Sequence, residues 1–562
     1  MRPYTRLSSL TTLSASLMLL LSACSTPSMV RTSPTTTADA TANVADQSMP
    51  APVLAIVPVA SMKPQLMIQP AHRMAYGAMA AAPHMAAASR ERYQKMAENE
   101  VKNAQTDAVS TLSLDVDTGA YANIRRMIQH GQMPPTDAVR IEELLNYFSY
   151  DDALPNRQHP FAVRTELAAS PWNADNLLLR VGVKAVQVSA SAQPAANLVF
   201  LVDVSGSMDD PEKLPLVQAS LRLLTQRLRP QDRVSMVVYA GRTQVELPST
   251  SGSDKATILA AIDRLTAGGS TNGEAALTLA YDQAEQHLIK DGINRIVLMT
   301  DGDFNVGVSD TDSIKQMVAR ARTRGISLST LGFGQGNYNE AMMEQIADVG
   351  NGNYSYIDSL AEARKVLDEE LAATFNTVAK DVKLQIEFNP AQVKEWRLIG
   401  YENRVLNEQD FKNDNIDAAE VGAGKSVVAL YELTPVGKAG LLAERRYSTP
   451  TAIPAARKTA EEWGFLRVRY KQPDGNTSTE WSVPIDQLVS RTPSADWRFS
   501  AAVAGYGQLL KGSKYAGQWH YADSAALAQQ GLGTDQGGYR HAFVQLVQLT
   551  DALSQSHQTR PR

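Results

Sequence analysis

Asp203, Ser205 and Ser207 form an Asp-x-Ser-x-Ser run on a loop that also contains Gly206. One carboxylate and two hydroxyls on a tight loop are hard oxygen donors. They suit Mg²⁺, or Mn²⁺ or Ca²⁺, better than zinc or copper. Alone the pattern says little, because Asp and Ser are common in loops. Two further donors give it weight: Asp301, which ends another apolar run, and Thr271, which follows the permissive Gly268-Gly269 pair.

The surrounding elements decide whether these residues meet. Leu198 to Val202 is a continuous apolar stretch and reads as a strand buried on both faces. After it, strand and helix patterns alternate. Helices are expected after Asp210-Pro211, which reads as an N-cap and N1 pair, over 255–265, over 273–289 and around Ile314 to Ala321. Strands are expected over 233–239, 243–247, 295–301, 326–333 and 352–357. The short turn at Ala240 to Arg242 makes the 243–247 strand an antiparallel edge. This alternation predicts an α/β fold, a doubly wound and mostly parallel sheet. Ligands of such sheets bind beyond the carboxyl ends of the strands, where the winding reverses. The strands ending in Asp203 and Asp301 should be neighbours there, so both carboxylates face one crevice.

In type and order, Asp203-x-Ser205-x-Ser207, Thr271 and Thr300-Asp301-Gly302 resemble the metal-ion-dependent adhesion site of von Willebrand factor type A (VWA) domains, over 197–372. The resemblance implies that Ser205, Ser207 and sometimes Thr271 touch the cation and that Asp203 and Asp301 act through water. It also implies an open coordination position for an acidic group on a protein partner. The flanks, including Thr111 to Thr118, Pro134-Pro135 and Asp137 to Glu143, resemble a bacterial family of lipoproteins that carry such a domain and a C-terminal domain of unassigned function. That resemblance bears on architecture and implies no reaction.

At 562 residues the chain is too long for one core and should hold about two to four domains. Residues 1–23 read as a lipoprotein signal: Arg2 and Arg6 precede a short apolar stretch that ends in Leu21-Ser22-Ala23-Cys24. Cys24 is the only cysteine, so no disulfide can form within the chain. Lipidation of Cys24 would anchor the protein firmly to a membrane. Ser25 after it favours the bacterial outer membrane by resemblance to lipoprotein sorting rules, with the face open. Residues 24–95, rich in Ala, Pro, Thr and Met, read as a flexible tether. Residues 96–160 read as an N-terminal α/β segment with helices over 119–129 and 138–148. Strands over 161–190 and 380–490 suggest a β-sandwich with the VWA domain inserted, and 494–562 reads as helical. Net charge is −5 and no long basic run occurs, which argues against nucleic acid.

Several other patterns compete. Gly422-Ala-Gly-Lys-Ser426 looks like a phosphate loop, but Ala419 stands where that motif needs Gly and a strand pattern follows, so no nucleotide is expected. Asp115 and Asp117 lack the later ligands of a calcium loop. Met74, Met79 and Met85 with His72 and His84 are irregularly spaced for a copper site. Ser205 as a nucleophile finds no histidine at a triad-like spacing. The expectation is a non-enzymatic envelope protein that binds a partner through a divalent cation. The alternatives are a metal-independent scaffold that binds through the flanking domains or helical tail and, less favoured, a metal-dependent hydrolase.

Overall fold

The computed structural model describes residues 91–558 apart from 115, 157, 270–272, 303–310, 337, 417, 444–460 and 474. The signal, Cys24, most of the tether, the Met/His group, Asp115 and Thr271 therefore lie outside the described residues.

The central sheet has six strands in the order Tyr354–Ile357, Ser327–Phe333, Ile293–Thr300, Ala196–Asp203, Arg233–Tyr239 and Thr243–Ser251. Its first five strands run parallel and Thr243–Ser251 is the antiparallel edge. Ala196–Asp203 sits in the middle and buries alternate residues on opposite faces. Leu198, Phe200 and Val202 pack with Val217, Leu221 and Leu224 of helix Leu214–Arg227. Val199 and Leu201 pack with Ala276, Leu277 and Ala280 of helix Gly273–Gln286 and with Ile314, Val318 and Ile346. Burial on both faces is why the strand reads as an unbroken apolar run.

Two five-stranded paths, from strands that flank this domain in sequence, form the sandwich. One runs Lys102–Asn103, Val393–Ile399, Ser426–Pro435, Leu177–Ala185, Phe161–Ala169; the other runs Val405–Leu406, Val109–Ser113, Thr377–Phe388, Gly464–Lys471, Ser478–Ile485. Between them Leu179, Val181, Val183, Val427 and Ala429 meet Leu112, Leu384, Ile386, Leu466 and Val468. The first sheet is buried on its outer face too. There Leu178, Val428 and Leu430 pack under Tyr121, Leu144, Phe148, Trp497, Val503 and Phe543. Apart from Phe148, which follows the second of them, the overlying residues belong to helices from both ends of the described chain: Gly119–Gln129, Ile141–Asn146, Ala495–Lys511 and Tyr539–Gln558. Phe543, Leu546 and Val547 of the tail helix are buried in this layer, so its apolar stripe is used inside the molecule. No helix among the described residues is long and apolar enough to cross a membrane.

Local expectations fail where a charged side chain overrides helix propensity. The helix predicted over 138–148 splits into a turn at Thr136–Ala138 and a short helix at Ile141–Asn146. Arg140 between them is extended, and its guanidinium reaches Glu340 at 3.4 Å and Glu344 at 3.7 Å. Burial pushes Glu340 up to about 8, with Glu344 and Glu142 adding to the rise and Arg140 opposing it. Asp210-Pro211 does not cap a helix either. The Asp210 carboxylate accepts from the Glu212 N–H, and the helix starts at Leu214 with Lys213 in a non-helical conformation. Finally, the tether does not extend to residue 95. The Arg92 N–H donates to the Tyr338 carbonyl at 2.9 Å, and the Glu91 carboxylate accepts from Arg126 and from the Gly336 N–H.

Candidate functional site

Asp203 is the last residue of its strand, and Asp301 follows the last residue of the neighbouring strand. Both are fully buried. The Asp203 Oδ1 accepts from the Ser205 N–H at 2.9 Å, which tightens the loop just after the strand. Its Oδ2 accepts from Thr300 Oγ1 at 2.9 Å and from the Tyr239 hydroxyl at 3.2 Å. The carboxylate is thus held from three sides. Burial pushes Asp203 up to about 6; Asp301 adds to the rise, and the Ser205 and Thr300 hydrogen bonds oppose it.

On the loop after Asp203, the Ser205 and Ser207 hydroxyls lie 3.0 Å apart. Ser205 is buried and Ser207 is exposed, on either side of Gly206. The Gly206 N–H donates to the Gly269 carbonyl at 3.1 Å, and the Gly268 N–H donates to the Val204 carbonyl at 2.8 Å. These bonds fasten the 268–269 loop, which leads to Thr271, against the serine loop. Gly269 (φ +89°) passes so close to Gly241 that a β-carbon would lie 2.6 Å from the Gly241 nitrogen. Gly302 is constrained in the same way: φ is +87°, and a β-carbon would lie 2.6 Å from the Asn339 nitrogen.

Lys213 was not anticipated from the sequence. Its ammonium donates to Asp301 Oδ2 at 2.8 Å, and its stem lies over Gly334, where a β-carbon would be 2.4 Å from Lys213 Cγ. No spacing rule marks this lysine; only the missing helical turn at 210–213 places it. Tyr239 was likewise read only as a strand residue. Beside the crevice lies a cavity of about 350 Å³ whose lining includes Val204, Gly268, Gly269, Arg242 and Arg264.

The described donors are all oxygen: one exposed hydroxyl, Ser207, and the buried Ser205, Asp203 and Asp301. That set fits a hard divalent cation. The Lys213 ammonium occupies Asp301 Oδ2, so an ion in this crevice would share that carboxylate with the lysine. Four described histidines have partners elsewhere: His130 at the Arg126 carbonyl, His159 stacked on Trp481, His520 at Asp523 and His541 at Asp535.

Comparison with known proteins places the chain. Residues 197–369 match the von Willebrand factor type A domain family, residues 87–180 match a von Willebrand factor family, and residues 373–553 match the family described as Uncharacterized protein YfbK, C-terminal. Uncharacterized protein YfbK of Escherichia coli (strain K12) is 49% identical over 494 residues, spanning 87% of this chain and 86% of that protein. Uncharacterized protein sll0103 of Synechocystis is 29% identical over 212 residues, spanning 38% of this chain and 49% of its own length. Among solved structures, a von Willebrand factor type A protein from Catenulispora acidiphila aligns with a TM-score of 0.39 and 16% identity, covering 70% of this chain and 91% of that one. Because Escherichia coli YfbK is 49% identical across most of both chains, the protein belongs to the family of bacterial VWA-domain proteins that includes it.

Proposed function

We propose that the protein binds a protein partner through a divalent cation held by Asp203, Ser205, Ser207, Thr271 and Asp301. VWA domains in general mediate protein–protein contacts and hold a divalent cation at this kind of site. The observation that supports the reading here is the 3.0 Å Ser205–Ser207 hydroxyl pair on the loop bonded to Asp203, at the strand ends that carry two fully buried carboxylates. Hydroxyls are weak, neutral donors, so a cation held mainly by them keeps its appetite for a negative ligand. The cation's role when bound is to offer that remaining position to a partner's carboxylate. The chain supplies the rest: Thr300 and Tyr239 fix Asp203, and Gly302 lets Asp301 follow its strand without a clash. In this reading Mg²⁺ is the preferred ion, and lipid on Cys24 holds the protein at the bacterial outer membrane.

Calorimetry on the full chain with Mg²⁺ and Mn²⁺ tests the ion site, beside Asp301→Asn, which keeps the side-chain shape. Wild type should bind one ion saturably and Asp301→Asn should lose it, with an unchanged circular dichroism spectrum. No saturable binding by wild type, or equal binding by the variant, overturns the proposal.

A further inference from the structure

The Gly422-Ala-Gly-Lys-Ser426 run has a place in the fold that the reading above leaves unused. Its backbone cannot cradle a phosphate. The Ala423 N–H donates to the Asn376 carbonyl, the Gly424 N–H to the Val186 carbonyl and the Lys425 N–H to the Gly422 carbonyl. Its side chains are another matter. Ser426 opens a sandwich strand and pairs in register with Lys184 of the neighbouring strand. The Lys184 ammonium donates to Ser426 Oγ at 2.8 Å. Both residues line a cavity of about 530 Å³ whose walls also include Lys365, Lys425, Tyr539 and Arg540. The cavity lies where the sandwich, the end of the VWA domain and the loop before the last helix come together.

The charges around it are not equally engaged. Lys365 and Lys425 both donate to Glu370. Arg540 donates to Asp496 at 2.7 Å and to the Ser149 and Gly531 carbonyls. Asp152, whose carboxylate lies against Gly182 two residues before Lys184, is committed to Arg180 through two bonds of 2.9 and 2.7 Å. Asp535 accepts from His541, Glu369 accepts from the Tyr539 hydroxyl, and Asp151 is exposed at the rim. Lys184 is only 8% exposed, and its hydrogen bond goes to a neutral hydroxyl. Burial lowers its pKa, although Asp152, Glu370 and Asp151 act in the other direction. A buried ammonium without a carboxylate partner is costly, and an incoming anion would remove that cost.

We propose that this cavity binds a small oxyanion, a carboxylate or a phosphate, with Lys184 and Lys425 receiving its charge and the Ser426 hydroxyl orienting one of its oxygens. The site is separate from the VWA crevice and uses no metal. Charge-assisted hydrogen bonds from lysine are the stronger contacts and the hydroxyl the weaker one.

The test uses the full chain in EDTA, titrated with inorganic phosphate and with acetate against chloride at equal ionic strength. Calorimetry and thermal melting are the readouts. At least one of the two anions should bind saturably and raise Tm beyond the chloride control. Phosphate alone would mark a phosphorylated ligand, and acetate alone a carboxylate. Lys184→Met should weaken binding about tenfold or more, Ser426→Ala by a few-fold, and Asp301→Asn not at all. Ser426→Ala removes one hydroxyl, so it carries the test if Lys184→Met fails to fold. No saturable effect beyond chloride, undiminished binding in Lys184→Met or Ser426→Ala, or loss of binding in Asp301→Asn would each overturn the proposal.

Discussion

Lys213 and Lys184 are buried to the same depth, each 8% exposed, in opposite surroundings. Lys213 reaches into a crevice where carboxylates predominate and meets Asp301. Lys184 stands in a cavity where its bond is to the Ser426 hydroxyl. The side chain and depth are the same, so the difference lies in what the neighbouring strands deliver. Parallel strands deliver their carboxyl-terminal ends to one edge, and two of those ends carry Asp203 and Asp301. The antiparallel pair delivers a cross-strand neighbour, and that neighbour is a serine. The first site therefore has room for more positive charge, and the second for negative charge.

The largest expected effect comes from removing the lysine that has a carboxylate partner. Lys213→Met leaves Asp301 buried beside Asp203 without its ammonium. In EDTA the variant should lose about 3–5 kcal/mol, the usual cost of breaking a buried pair from one side. Urea melts would show this. Added Mg²⁺ should restore more stability to the variant than to wild type, because the ion no longer shares Asp301 with the lysine. If Lys213→Met is as stable as wild type in EDTA, the crevice is not the acidic site described here.

Glu370 gives the next effect and sharpens the contrast from the other side. Burial would raise its pKa, but Lys365 and Lys425 hold it down at about 2. A carboxylate lowered in the folded state stabilises above its ordinary value of 4.5, and that contribution fades as pH falls towards 2. Glu370→Gln should cost about 2–3 kcal/mol at neutral pH, in line with charged hydrogen bonds lost. It should also flatten the acid side of the stability profile. The same change frees two ammoniums in the cavity that holds Lys184, so phosphate or acetate should bind more tightly than to wild type. Weaker anion binding would break the comparison.

How much of this was legible in the sequence follows from the physics of each part. The central strand was readable because burial on both faces leaves only apolar residues between Leu198 and Val202. Its neighbour and the antiparallel edge were readable because the alternation of elements and a short turn admit few topologies. Ser205 and Ser207 were readable because the loop is local. Lys213 was not, because its role depends on a helix that begins three residues after a good capping pair. Arg140 interrupted an expected helix for a similar reason: its partners Glu340 and Glu344 lie about 200 residues further along the chain, and no local pattern encodes them. At the phosphate-loop resemblance of 422–426, Ser426 opens a strand, as the apolar run after it predicts. The partner that gives Ser426 its setting, Lys184, lies 242 residues away and comes into view only when the two strands pair.

The smallest expected change is in Lys184→Met, and it is the most discriminating. An ammonium held against a hydroxyl contributes little to the fold and costs desolvation, so an apolar chain of similar length should change stability by no more than about 1 kcal/mol, in either direction. Its pH dependence gives a sharper reading than its size. The folded pKa of Lys184 lies below its ordinary 10.5. Between those two values the unfolded chain binds more protons than the folded one. Wild-type stability should therefore rise with pH through that window relative to Lys184→Met, because the folded lysine sheds its charge first. Parallel denaturant melts from pH 7 to 10 measure the difference between the two proteins and cancel the titration of the buried tyrosines they share. A difference that stays flat would mean that Lys184 has a counter-charge after all. The two lysines would then differ in their partners but not in their electrostatics.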